Sequence, residues 1–301
     1  MPAHIGEVAA LATSVCWSAT ATFFAIASRR LGSTHVNRLR LLLALVLLLA
    51  IHWLLAGRPL PWDAPPQAWL WFSLSGLVGF VIGDAFLFAS YVAIGARLGM
   101  LMMSLAPVIS TVLAGWVFAE HLTPMQLLGI AVTIAGVGWV VMDSRSSNQV
   151  AGGQRRYLTG ILLGLGAAAG QATGLILSKQ GLATGLPALS GNVIRVTAAC
   201  VAIWLVAWLQ RSAPTTIARL RADRAALRPI ALGSLLGPVL GVWLSLIAIQ
   251  YTEIGVASTL MALPPVFMVA IGHYVFGERI GWPSIAGTFV AILGVALLFL
   301  A

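Results

Sequence analysis

The sequence predicts an all-α integral membrane protein, with ten transmembrane helices arranged as two inverted five-helix repeats around a central cavity. Three observations carry that prediction: too few charges for a soluble fold, apolar stretches long enough to span a bilayer, and self-similarity between the two halves. Of the 301 residues, 60% are hydrophobic and only 8% charged, and the mean hydropathy is +0.98. Soluble domains carry roughly 25% charged residues. A water-soluble fold of this composition would expose most of its apolar surface, so lipid is the natural solvent.

The first repeat, 1–142, is read as spans near 5–28, 36–56, 67–92, 97–119 and 123–142. A linker follows at 143–156, and the second repeat, 157–301, holds spans near 157–180, 187–210, 229–251, 255–276 and 280–300. A span needs about 20 mostly apolar residues. Helix is preferred because backbone in lipid must satisfy its own hydrogen bonds, and unbroken runs such as Leu41 to Ala50 lack the alternation of a barrel strand. The first span is not a signal peptide by its pattern: Met1 to Val8 has no Lys or Arg, and the apolar stretch exceeds a signal core. Cys16 and Cys200, the only cysteines, fall within spans and read as small packing residues rather than disulfide or metal ligands.

A net charge of +9 is compatible with nucleic-acid binding, but its placement argues against that. The longest polar stretch, Gln210 to Arg228, holds five arginines with no interleaved aromatic residue, as expected for a basic loop beside the cytoplasmic leaflet.

The repeat is visible by sliding Met103 onto Met261, a shift of 158. Identities then fall at Met103, Leu105, Pro107, Val108, Val117, Phe118, Glu120, Gly129, Val132, Ile134, Gly136 and Val137. Gly79 and Gly83 pair with Gly237 and Gly241 in the third spans, and an Asn-x-x-Arg sequence (Asn37, Arg40; Asn192, Arg195) opens both second spans. Five spans per repeat is an odd number, so the second copy enters from the opposite side, an architecture common in secondary transporters. Arg29, Arg30, Arg38, Arg40, Arg97, Arg145, Arg155, Arg156, Arg211, Arg219, Arg221, Arg224, Arg228 and Arg279 fall on one predicted face, and Arg58, Lys179 and Arg195 on the other. The positive-inside rule makes the first face cytoplasmic and places both termini outside.

The stretch from Tyr91 to Val141, with its copy from Tyr251 to Leu298, resembles the EamA-type family of the drug/metabolite transporter superfamily. Trp17 and the Arg40 and Arg195 openings of the second spans fit the same likeness, which covers nearly the whole chain. The resemblance implies a ten-helix exporter or exchanger of small metabolites, often amino acids, with a cavity lined by helices 1, 3, 4, 6, 8 and 9. Two features depart from the family pattern: Gln171 stands where the repeat places Trp17, and the termini are read as outside.

Several residues are candidates for the transport path. Pro107 and Pro265 fall mid-helix in the fourth spans, where each removes a backbone hydrogen bond and frees a carbonyl; interruptions in matching positions of two halves point to a transport site. Asp84 lies deep in the third span and is expected to face the bundle or water, binding substrate or relaying a proton, or else forming a structural ion pair. Trp17, Met103, Ser104, Gln171 and Trp243 complete an apolar-aromatic pocket with a few polar groups. Arg40, Arg195 and Lys179 sit near span ends, as headgroup anchors or anion contacts. Glu120 and Glu278 close the fourth spans, and Thr123–Pro124 reads as an N-cap with proline at N1. His52 and His273 read as satisfied rather than catalytic, and the glycines of the sixth span as helix-packing contacts.

No catalytic, metal or cofactor motif is legible, and no ATP-binding module, so energy comes from a gradient or exchange. The sequence therefore predicts a non-enzymatic secondary active transporter of the plasma membrane, working by alternating access on a small metabolite such as an amino acid. Its partners are the substrate and the lipid bilayer, with no nucleic acid; a monomer suffices and a dimer is compatible. The alternative is a flippase, or an intramembrane enzyme acting on a lipid-linked substrate.

Overall fold

The computed structural model describes residues 4–118, 123–146, 153–251 and 260–299. Among these the chain is helical throughout, with no strand. α1 (Ile5–Leu31) and α2 (Ser33–Ala56) are joined at Gly32. α3 (Pro66–Gly76) continues through a π-helical segment, Leu77–Gly83, into α4 (Asp84–Met103). α5 (Leu105–Phe118), α6 (Pro124–Ser146), α7 (Gly153–Leu182) and α8 (Ala188–Leu209) follow. Then come α9 (Ala213–Ala222), α10 (Leu227–Ser234), a second π-helical segment (Leu235–Gly241), α11 (Val242–Tyr251), α12 (Pro264–Tyr274) and α13 (Trp282–Phe299). Among the described residues, seven segments are long and apolar enough to cross a membrane, and Trp282–Leu297 is a shorter apolar helix. The exterior is greasy in keeping with that: Leu54 is 84% exposed and Leu162 67%.

The two π-helical segments stand 158 residues apart, the shift that aligns the halves in sequence. A π turn widens the helix and loosens its carbonyls, and in each half an asparagine of the second helix meets one of them. Asn37 Nδ2 donates to the Phe80 carbonyl at 3.1 Å, and Asn192 Nδ2 to the equivalent Pro238 carbonyl at 3.2 Å.

The inversion is read most directly where α6 crosses α13, the fifth helices of the two repeats. A side chain on Gly136 would collide with the backbone of Ala291, and one on Gly294 with the backbone of Thr133. Thr133 and Ala291 are themselves 158 apart, so each partner of one contact is the repeat mate of a partner in the other. Contacts advance along α6 as they retreat along α13, which makes the helices antiparallel. The same antiparallel pairing brings Thr20 of α1 against Gly237, and Gly174 of α7 against Gly79. Because lipid tails are as apolar as the helices, dispersion and close approach rather than hydrophobic drive hold such contacts.

The loops of the arginine-rich face meet one another. Arg30 pairs with Asp223 at 2.7 Å, Arg219 Nη1 donates to the Leu31 carbonyl at 3.1 Å, and Arg156 Nη2 to the Val92 carbonyl at 2.8 Å. Arg30 holds the exposed Asp223 carboxyl below the usual carboxylate range, so this tie is present at neutral pH and is lost on strong acidification. On the opposite face His52 contacts the Arg58 carbonyl at 2.6 Å and the Ser190 hydroxyl at 3.0 Å; it is satisfied, as expected. The stretch before α10, expected as loop, contains the short helix α9, which carries Arg219 and Arg221 in its last turn.

Candidate functional site

The centre of the molecule is built around Asp84, the first residue after the π turn of the third span. It is 5% exposed. One carboxylate oxygen is ion-paired with Arg40 Nη2, and the other accepts from Gln171 Nε2 at 2.9 Å. Arg40 is fixed from several sides. Its Nε donates to Asn37 Oδ1 at 2.9 Å, and its guanidinium lies 5.0 Å from the ring centre of Phe88, 5.6 Å from Phe24 and 5.7 Å from Phe80. These distances suit cation–π attraction. Arg195 also lies by Phe80, 4.5 Å from its ring centre, with Gly79 and the Gln171 side-chain oxygen close by.

Arg40 and Arg195 therefore are not the interfacial anchors expected from their place near the openings of the second spans. Each lies seven residues into its helix, about 10 Å along it, and both side chains turn inward to one point. The reason is Asp84: an unpaired guanidinium at this depth is costly, and the buried carboxylate draws both. Lys179 does not join them. It is exposed at the end of α7, eight residues beyond Gln171, or about 12 Å.

The prolines are also placed differently from expectation. Rather than kinking continuous helices, they begin new ones. The fourth span of the first half is broken at Ser104, and Pro107 lies in the first turn of α5. In the second half the helix stops before Pro264 and Pro265, which open α12. Proline has no N–H to lose at a helix start, and the carbonyls loosened at the break take hydroxyl donors. Ser14 of α1 donates to the Leu260 carbonyl, and Ser18 contacts the Pro264 carbonyl at 3.4 Å. Ser104 is buried, its hydroxyl on the Leu101 carbonyl at 2.6 Å, and Met103 packs on the core of Phe24, Phe88, Tyr91 and Met268.

Trp17 lies against Gly241, the repeat mate of Gly83, whereas Trp243 is 42% exposed and stands apart from the Asp84 cluster. Gln171, mate of Trp17, contacts Asp84, and the mate of Asp84 is Val242. The polar pair of one side is thus replaced on the other by Trp17 beside the Gly241–Val242 step.

A second polar contact bridges the halves at the arginine-rich face, and sequence reasoning missed it. Arg97, just after a break at Gly95 (φ 86, ψ 161), pairs with Glu278 at 2.7 Å and donates to the Ser284 hydroxyl at 2.9 Å. Glu278, read as a helix cap, is an inter-repeat ion pair instead. Its own N–H bonds to the Gly272 carbonyl at 2.9 Å, closing the end of α12. Glu120, its mate, lies outside the described residues. The Thr123–Pro124 cap stands as expected, with Thr123 and Gln126 bonding reciprocally.

Against this geometry, the model of the EamA-like transporter family matches residues 4–142 and 158–300, both repeats and nearly the whole chain. The chain belongs to the EamA-like transporter family. It is therefore a multi-pass membrane protein of the drug/metabolite transporter superfamily, and the two matched segments coincide with its two structural repeats. A search of curated proteins finds no match. One solved crystal structure is similar over 97% of this chain and 94% of its own, with a TM-score of 0.63 and 16% identity, a likeness of fold alone. In this EamA-like chain, Asp84 and Arg40 form an ion pair in which both side chains are buried. Among the described residues no cluster could hold a metal ion.

Proposed function

We propose that the chain is a secondary active transporter of the plasma membrane that exports or exchanges a small metabolite, such as an amino acid, by alternating access. The observation that carries this reading is the pair of interrupted fourth spans, at Ser104–Leu105 and before Pro264, in matching positions of two antiparallel repeats. Discontinuous helices with free backbone groups near a repeat interface are where such carriers bind cargo. The substrate site is proposed at Asp84, Gln171 and Arg195, with Trp17, Met103, Ser104, Pro107 and Pro265 along the path; Trp243 stands outside it. The arginine-rich loops face the cytoplasm and the termini lie outside. In this reading the Arg97–Glu278 pair holds the cytoplasmic side closed and breaks when that side opens.

Counterflow in proteoliposomes, with labelled amino acids, organic acids and organic amines, tests the reading. Saturable uptake driven by the same unlabelled compound inside supports a carrier, and unsaturable flux contradicts it. A pH-gradient response that disappears in Asp84→Asn assigns proton coupling to that carboxylate; full coupling in the variant excludes it.

A further inference from the structure

We propose that Arg195 is the anchor for one negative charge on the transported molecule, and that the substrate is a small carboxylate-bearing metabolite. This rests on the carrier reading and narrows it. The cluster holds two cations, Arg40 and Arg195, and one anion, Asp84, whose two oxygens are taken by Arg40 and Gln171. Other acidic side chains of the described residues are engaged elsewhere, Asp63 with Arg58, Asp223 with Arg30 and Glu278 with Arg97. The cluster as described thus carries one positive charge in excess, deep in the bundle where such a charge is expensive.

The comparison between repeats shows which arginine is free. Arg40 Nε is tethered to Asn37 Oδ1. The equivalent atoms in the second repeat, Arg195 Nε and Asn192 Oδ1, are both buried and both lack a hydrogen-bond partner. They are a donor and an acceptor three residues apart on one helix, and they fail to meet because the Arg195 side chain leaves its own repeat to lie over Phe80. Val242, standing where Asp84 stands in the first half, offers it nothing at home. Arg195 therefore forgoes a local hydrogen bond to present an unpaired guanidinium beside the Asp84 cluster, and it is more accessible than the buried Arg40.

A guanidinium is a planar fork that matches a carboxylate with two parallel hydrogen bonds. A single carboxylate also neutralises the one spare charge. The same count disfavours simple organic amines, because they would add a further positive charge to a cluster that already holds two guanidinium groups and one carboxylate. Amino acids and simple monocarboxylates share the recognised group.

Matched sets test this: short aliphatic and aromatic amino acids, the same acids without the amino group, and the same amines without the carboxyl. Each is assayed at constant ionic strength by thermal stabilisation of the purified full chain and by counterflow. Acids or amino acids are expected to stabilise and to move, and the amines to do neither. Arg195→Gln is expected to raise the half-saturation concentration for the acid by about tenfold or more. Arg195→Lys, which keeps the charge and loses the fork, should fall between and guards against misfolding of the first variant. Preference for amines, or half-saturation within about twofold of the parent in both variants, overturns the proposal while leaving a carrier intact. Arg195-dependent stabilisation by carboxylates without any flux upholds the anion site and contradicts the carrier reading instead.

Discussion

Asp84 and Arg40 owe their burial to each other. Taking two charges out of water is repaid only when geometry and further hydrogen bonds are good, and here Gln171, Asn37 and three aromatic rings supply them. Removing one partner strands the other, so Asp84→Ala is expected to destabilise the protein by about 3–5 kcal/mol. Thermal melting in detergent reads this directly. Asp84→Ala together with Arg40→Met should recover part of the loss, since Arg40 is no longer stranded while the Arg195 guanidinium remains beside the site. The sequence marked Asp84 as an intramembrane carboxylate and offered an ion pair as one reading. It could not name the partner, because Arg40 sits 44 residues away near a helix opening, where basic residues ordinarily snorkel. The exceptions at Gln171 and Val242 were each visible as failures of the repeat; only packing shows that Gln171 and Asp84 touch.

At the scale of helices, the two π turns and their asparagine caps form one device used twice. Asn192→Ala removes the donor to the Pro238 carbonyl and is expected to cost about 1 kcal/mol. Asn37→Ala should cost more, because it also releases Arg40; paired melting curves check the order. The α6–α13 crossing makes a sharper demand. Gly136→Leu and Gly294→Leu place side chains against facing backbone, so each should lower the melting temperature by similar amounts, as the pseudo-two-fold relation requires. The glycine spacing of the sixth span and the Thr123–Pro124 cap were legible in sequence, since both follow local rules. The π turns were not, because the glycines that permit them look like packing glycines, and the helix breaks were misplaced because a mid-span proline is ambiguous between kinking a helix and starting one.

For the whole molecule, the repeat and its inversion followed from the sequence shift and the odd span number, and the antiparallel α6–α13 contact agrees with both. What sequence could not supply was the link between halves at the arginine-rich face, since Arg97 and Glu278 lie 181 positions apart with no shared pattern. In the proposed alternating-access cycle, exchange between inward- and outward-facing states requires that link to break. Arg97→Ala should thus shift the resting equilibrium by the loss of a partly buried pair, and the effect on transport rate should exceed that on melting.

The most direct test is reciprocal accessibility. Native Cys16 and Cys200 are replaced by Ala, one cysteine is placed at Ser284 beside Arg97 or at Ser190 beside His52, and a membrane-impermeant thiol reagent is applied to each side in turn. Alternating access predicts that Glu278→Gln speeds labelling at 284 and slows it at 190. Labelling that rises at both positions together, as in a pore, or that changes at neither, would contradict it.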